Sequence, residues 1–262
     1  MTAPVIHTQS RTTDVKPTFR STVRTLAGAQ KPPAKGSPAY SRFVNRRIGR
    51  VLAAGAHVAG LTPNQVTLIS ASFTTLGIVT IALVQPSLAV GLLVAVLLLT
   101  GYAFDSADGQ LARLRGGGSP AGEWLDHVVD SVKASSLHLA VLIAWYRFYD
   151  VSAEVLLIPL GFALVSAVFF FAQILTDQLR RAHPAQAPPP ADASRAAVLR
   201  SVLVAPTDYG LLCGAFLLVG WQAGFVVVYS LFLAGTALFL LAALPKWFRE
   251  VSRFRPGGEA AA

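Results

Sequence analysis

The chain has 262 residues, of which 53% are hydrophobic and only 13% charged, and its formal net charge is +9. A soluble domain carries roughly a quarter charged residues, so this deficit excludes an ordinary water-soluble fold and makes the bilayer the solvent for most side chains. The basic residues lie mainly in flanks and loops, where orientation in an anionic membrane accounts for them and nucleic-acid binding is not expected.

Residues 1–38 are rich in Thr, Ser, Pro, Lys and Arg without a sustained period, and read as a flexible basic arm on the membrane surface. With no apolar core segment near the N-terminus, no cleavable signal peptide is expected. Residues 39–60 change character: Tyr40, Phe43, Val44, Ile48, Val51 and Leu52 recur at helical spacing among Arg42, Arg46, Arg47 and Arg50. That pattern predicts an amphipathic helix lying in the headgroup layer.

The stretch "LTPNQVT" opens the first span. Thr62 and Gln65 make a capping box with Pro63 at the first helical position, and the helix runs to about Val84. After the turn "QPS", spans are expected at 88–114, 121–146 and 152–179. A polar linker containing "APPPAD" precedes two more, at 201–220 and 222–245. Each approaches or exceeds the ~20 residues needed to cross. The expected architecture is an all-α polytopic membrane protein: six transmembrane helices within residues 61–250, preceded by the interfacial helix and followed by a cytoplasmic tail, 251–262. Cys213, the single cysteine, excludes an intramolecular disulfide and reads as a buried, inert thiol.

Charge sets the orientation. Of the 22 Lys and Arg residues, all but Arg147 and Lys133 fall on one side if six spans alternate. The positive-inside rule then puts both termini in the cytoplasm, in a cell membrane crossed several times.

Five of the thirteen acidic residues crowd into Asp105 to Asp130, across the end of the second span and the start of the third. Asp105, Asp108, Gly109 and Ala112 stand at i, i+3, i+4 and i+7, and Gly122, Asp126 and Asp130 at i, i+4 and i+8, so each set shares one helix face. The short loop "GGGSP" makes the two helices antiparallel neighbours. Four carboxylates can therefore meet across one gap. They could take up protons, pair with Arg113, Arg115 and Lys133, or hold divalent cations. An oxygen-only set suits Mg²⁺, Mn²⁺ or Ca²⁺ rather than zinc, and two such ions would clamp a phosphoryl group. His127 points roughly 100° away from Asp126 around the helix and is not expected to be a ligand.

The spacing Asp105-x2-Asp108-Gly109-x2-Ala112-Arg113-x8-Gly122-x3-Asp126-x3-Asp130 matches the motif of the CDP-alcohol phosphotransferase family at all eight fixed positions. The lead-in "KGSPAYSRFVNRRIGR…LTPNQVT" resembles that of di-inositol-phosphate phosphate synthases and of phosphatidylinositol-phosphate synthase-like members. The resemblance implies a transferase of phospholipid biosynthesis that joins a CDP-linked lipid, such as CDP-diacylglycerol, to an alcohol acceptor and releases CMP. It implies two Mg²⁺ or Mn²⁺ ions on Asp105, Asp108, Asp126 and Asp130, with Asp130 also the catalytic base. Gly109, Ala112, Gly122 and Arg113 would meet the donor, together with Asn64 and Thr67, which helix capping explains as well. An inositol phosphate or similar polyol phosphate would be held by Lys133, Arg181, Arg195 and Arg200, and the enzyme would be a homodimer. The fifth span begins "PTDYG" without the arginine expected near Asp208, a departure that leaves a neutral alcohol or glycerol phosphate open as acceptor.

An ion-coupled transporter is the rival from another class. Its carboxylates would sit near the midplane on broken helices, whereas these lie at helix ends beside an arginine pair. A phosphatase acting on lipid pyrophosphates would need a His or Cys nucleophile, and none is suitably placed.

Overall fold

The computed structural model describes residues 18–28, 38–184 and 204–254. The described residues form eight α-helices and no strand: α1 (Phe19–Gly28), α2 (Arg46–Val58), α3 (Pro63–Leu83), α4 (Leu88–Leu114), α5 (Pro120–Phe148), α6 (Leu157–Ala182), α7 (Tyr209–Ala215) and α8 (Gln222–Val251). Five of them, α3, α4, α5, α6 and α8, are long and apolar enough to cross a membrane. At 1.5 Å per residue even the shortest, the 21-residue α3, reaches about 32 Å.

Helix starts follow local chemistry. Thr62 accepts from the Gln65 amide while the Gln65 side chain accepts from the Thr62 amide, the reciprocal pair that opens α3. Ser87 caps α4 and Ser119 caps α5, each accepting from an amide three residues on. Between the last two, Gly116 and Gly117 take φ of 95° and 128°. There a glycine avoids the steric cost that a Cβ would bring, so the chain reverses within a few residues and sets α5 antiparallel to α4.

Three sequence expectations are corrected. The arm is not wholly irregular: α1 forms within it and buries Thr22 and Leu26 against a cluster that includes Ala53, Ala54 and Leu111. Its apolar stripe covers barely two turns, too short to stand out as a period. The fourth span starts at Leu157 instead of Ser152, because residues 152–158 close a run of three-residue turns, with Val155 donating to Ser152 O and Leu156 to Ala153 O. The fifth span is not one long helix where it is described. A 3₁₀ turn at Ala205–Thr207 stops at Asp208, whose carboxylate accepts from the Gly210 amide and starts the seven-residue α7, followed by a second 3₁₀ turn at Phe216–Leu218. Its expected first residues, 201–203, lie outside the described residues, so the described chain has five long spans and a short apolar segment.

α4 is the central element. On one side it meets α3, where Gly101 lets the chains approach so closely that a Cβ would collide with Thr74, and Ser70 donates to Gly101 O at 2.8 Å. On another it carries α2, whose Gly49 faces Ser106 across a gap where a Cβ would stand 2.7 Å from the hydroxyl. Asn45 donates to Tyr102 O and Gln110 to Arg46 O, both at about 3 Å. α2 thus props the acidic third of α4, while Ile48 and Val51 stay exposed on its outer side, as do Phe43 and Val44 in the turn of π-helix (Ser41–Asn45) that leads into it. The larger core lies further along the bundle around Trp145, Phe216, Phe225 and Tyr229.

Candidate active site

The motif residues come together where α4 ends and α5 begins. Carboxylate oxygens of Asp105, Asp126 and Asp130 lie within 4.8 Å of one another, one group from two helices. No thiolate or imidazole belongs to it among the described residues, and three oxygen donors at this spacing fit a hard divalent cation. His127 stands 3.5 Å from Glu123 and 4.0 Å from Asp126.

Asp108 is built differently. It is buried, and its Oδ2 accepts from the buried Thr67 hydroxyl at 2.7 Å. It therefore stands apart from the three-carboxylate group, anchored to α3, although the sequence pattern puts all four aspartates in one set.

Lys133 lies one turn beyond Asp130. Its Nζ donates to Asp105 Oδ1 at 2.8 Å and to Asp130 Oδ1 at 2.6 Å, and only 8% of the side chain is exposed. A buried ammonium is tolerable when carboxylates surround it in this way. The same contacts fix the rotamers of both aspartates.

The aspartates divide between two cavities. Asp108 and Asp126 line a cleft of about 630 Å³, within the usual range for ligand pockets. All six residues expected to meet the donor are in its wall: Asn64, Thr67, Gly109, Ala112, Arg113 and Gly122. Gly122 lies close to Asn64: a Cβ there would stand 2.9 Å from the carboxamide oxygen, and that side chain would have to shift. Asp105, Asp130 and Lys133 line a second cavity of about 230 Å³.

Of the residues expected to hold the acceptor, the two that are described line different cavities. Arg181 is on the rim of the larger cleft, paired with Glu123, while Lys133 is in the smaller cavity. Arg195 and Arg200 lie outside the described residues. Arg180, read as one of the positive-inside residues, is held by Glu250 and Asp177 at 2.6–2.9 Å and ties α6 to α8. Asp208 was legible only as a missing arginine. It is buried and accepts from the amides of Tyr40 and Gly210, so it joins the lead-in to α2 to the start of α7. An acid just before "YGLL" is an N-cap signal that could have revealed this. The aromatic wall of the smaller cavity joins Phe162, Phe169 and Phe170 of α6 to Tyr102 of α4 and Tyr209 of α7, helices that the sequence alone does not bring together.

Known proteins place the chain. Residues 60–241 match the family model for CDP-alcohol phosphatidyltransferase, so the chain belongs to that family. Phosphatidylinositol phosphate synthase of Corynebacterium glutamicum is 38% identical over 95 residues, which span 36% of this chain and 40% of that protein's length. The crystal structure of Mycobacterium tuberculosis phosphatidylinositol phosphate synthase with CDP-DAG bound is similar in fold, with a TM-score of 0.51 at 20% identity, covering 84% of this chain and 98% of that one. The same mycobacterial protein in complex with manganese and citrate aligns with a TM-score of 0.48 at 21% identity, over 80% and 92% of the two chains.

Proposed function

We propose that this chain transfers the phosphatidyl group from CDP-diacylglycerol to the hydroxyl of an alcohol, releasing CMP, as a step of phospholipid synthesis. One observation carries the reading: carboxylates on the facing ends of α4 and α5 lie within 4.8 Å of one another, close enough to share a cation, beside a cleft of about 630 Å³. Asp105, Asp126 and Asp130, with Asp108 beside them, would hold one or two Mg²⁺ or Mn²⁺ ions. When bound, such ions would neutralise the donor's pyrophosphate and stabilise an in-line displacement.

The protein's own groups do the rest. Gly109, Ala112 and Gly122 keep the cleft wall low enough for the nucleotide to approach, and Arg113 offers a fork of donors to phosphate. Thr67 holds Asp108 in place. The acceptor oxygen bonds to the phosphorus bearing the diacylglycerol, its proton passes to Asp130, and the bond to the bridging oxygen breaks, with the electron pair leaving on CMP. An alcohol is a weak nucleophile, so a positioned base contributes typically 10²–10⁴-fold.

Two acceptor classes have support. The names of the relatives favour a polyol phosphate such as inositol phosphate. The ion pairs that occupy Lys133 and Arg181 favour a neutral alcohol. The exposed apolar side of α2 fits the headgroup layer, and the basic flanks favour a site and termini facing the cytoplasm. A homodimer is part of the same reading by resemblance. The test is CMP release by purified protein supplied with CDP-diacylglycerol, a divalent cation and a panel of polyols and polyol phosphates. The absence of both donor binding and CMP release under all of these conditions would refute the proposal.

A further inference from the structure

Two helices end in the same way beside the larger cleft. α2 closes with Gly60 at a φ of 75°, where the Leu61 amide donates to Ala56 O and the Gly60 amide to His57 O. α4 closes with Gly116 at a φ of 95°, where the Gly117 amide donates to Ala112 O and the Gly116 amide to Arg113 O. Both pairs are the Schellman pattern, in which glycine takes the left-handed turn and the departing chain satisfies the last carbonyls of the helix. Each exit is therefore a defined turn held by its own backbone.

One side chain joins the two exits. Arg115 immediately precedes Gly116, and its guanidinium donates at 2.7 Å to the carbonyl of Leu61, which immediately follows Gly60. The sequence offers Arg115 as a partner for the aspartates, but in the structure it meets this main-chain oxygen instead. Leu61 leads directly into the capping box at Thr62 that starts α3, and Arg115 leads into the loop that ends at Ser119, the cap of α5. Thr62, Asn64, Arg115, Gly118 and Ser119 all line the larger cleft, so the bond fixes one lip of that cleft against the other. Deeper in the bundle α3 and α4 are tied by Ser70 on Gly101 O and by Thr67 on Asp108. Arg115 supplies the corresponding tie at the mouth.

We propose that Arg115 is a positioning residue for the CDP-linked donor: by clamping the exit of α2 to the exit of α4, it holds the mouth of the larger cleft in its binding shape before the donor arrives. The proposal rests on the transferase reading above and adds to it a residue outside the aspartate motif. A mouth organised in advance spares the donor the entropy of ordering two loops, so the clamp is felt in donor affinity. Arg115 is itself exposed, and its replacement leaves the buried core intact.

The experiment compares the full-length protein in detergent, with Mg²⁺ or Mn²⁺, against Arg115→Ala, Arg115→Lys and Arg47→Ala. Arg47 is exposed on α2 and outside the cleft lining, and its removal controls for the loss of one positive charge. Arg115→Ala should weaken CDP-diacylglycerol binding by about three- to tenfold, the span of one net hydrogen bond. Arg115→Lys keeps one charged donor and should fall in between, while Arg47→Ala should bind as the unaltered protein does. The second readout is hydrogen exchange in the donor-free protein. The amides of Thr62, Gln65 and Val66, whose bonds open α3, should exchange faster in Arg115→Ala and slow again when the donor is added. Weaker binding with unchanged exchange would make Arg115 a direct contact of the donor phosphate and overturn the clamp. Exchange quickened equally along α5 and α8 would mark a general loss of stability, and an equal binding defect in Arg47→Ala would assign the loss to charge; either result overturns it too. Donor binding unchanged by Arg115→Ala defeats the clamp alone. Failure of the unaltered protein to bind CDP-diacylglycerol defeats the transferase reading and the clamp together.

Discussion

Thr67 donates its hydroxyl to Asp108 Oδ2 at 2.7 Å, joining the start of α3 to α4 at the wall of the larger cleft. Both residues are buried, so the carboxylate has little water to fall back on. Thr67→Val keeps the shape and removes the donor. A hydrogen bond to a charged group contributes about 1.5–3 kcal/mol, so affinity for the CDP-linked donor should fall by roughly ten- to a hundredfold. Steady-state kinetics should show this mainly in the donor KM. An unchanged donor KM would mean that Asp108 does not depend on α3 for its position.

A divalent cation should be required for turnover. Asp105, Asp126 and Asp130 crowd together, and Lys133 is the one cation bonded to that group among the described residues. Exhaustive chelation should abolish CMP release, and Mg²⁺ or Mn²⁺ should restore it. Calcium, with longer and less regular coordination, should bind and support turnover poorly. Full activity in protein shown by elemental analysis to be metal-free would refute the requirement.

The division of the aspartates between two chambers predicts two phenotypes. Asp130→Asn keeps the size of the side chain and its place beside Lys133, so donor binding should survive while turnover falls by about 10²-fold or more, the usual worth of a positioned base. Asp108→Asn should act on the donor side, raising the donor KM. Direct binding of a CDP-donor analogue to each variant separates the cases. Loss of donor binding in Asp130→Asn, with turnover no worse than in Asp108→Asn, would reverse the two roles.

Much of this was legible in the residues, for identifiable reasons. The start of α3 follows from Thr62, Pro63 and Gln65, whose capping is local chemistry. The carboxylate group follows from helical period on two segments joined by a short loop, which determines both the faces and the antiparallel pairing. What stayed hidden depends on rotamers and on distant packing. Period places Asp108 and Asp105 on one face, but the Thr67 hydroxyl and the Lys133 ammonium turn them toward different chambers. Lys133 reads from the sequence as a partner for the carboxylates or a contact for a phosphate, and its span between two helices cannot be seen from α5 alone. The start of α6 was misjudged because Ser152, Ala153 and Glu154 are compatible with a helix until their turn hydrogen bonds are counted.

Asp208 should matter for stability. Its carboxylate accepts from the Tyr40 amide at 2.7 Å and the Gly210 amide at 3.1 Å, and it is 1% exposed. Asp208→Ala removes a helix cap and leaves a second buried amide unpaired, a loss on the order of 2–4 kcal/mol. Asp208→Asn retains one acceptor oxygen and should fall between Ala and the original residue. Thermal unfolding in detergent gives the order directly, and equal stability of all three proteins would refute the structural role.

The orientation of the bundle can be tested by accessibility in intact cells. Basic residues cluster in the lead-in to α3, at the α4–α5 loop and around the ends of α6 and α8, and the positive-inside rule places all of these in the cytoplasm. The native thiol gives little background, because Cys213 is buried. Single cysteines at Gln85 and Asp150, both exposed at the opposite ends of the spans, should react with a membrane-impermeant thiol reagent added outside. On the site side Gly118 is the better position than Gly117, whose φ of 128° would strain any other residue. A cysteine at Gly118 should be silent until the cells are opened. Labelling at Gly118 from outside, with Gln85 and Asp150 protected, would invert the topology and put the carboxylates on the wrong face for a donor supplied from the cytosol.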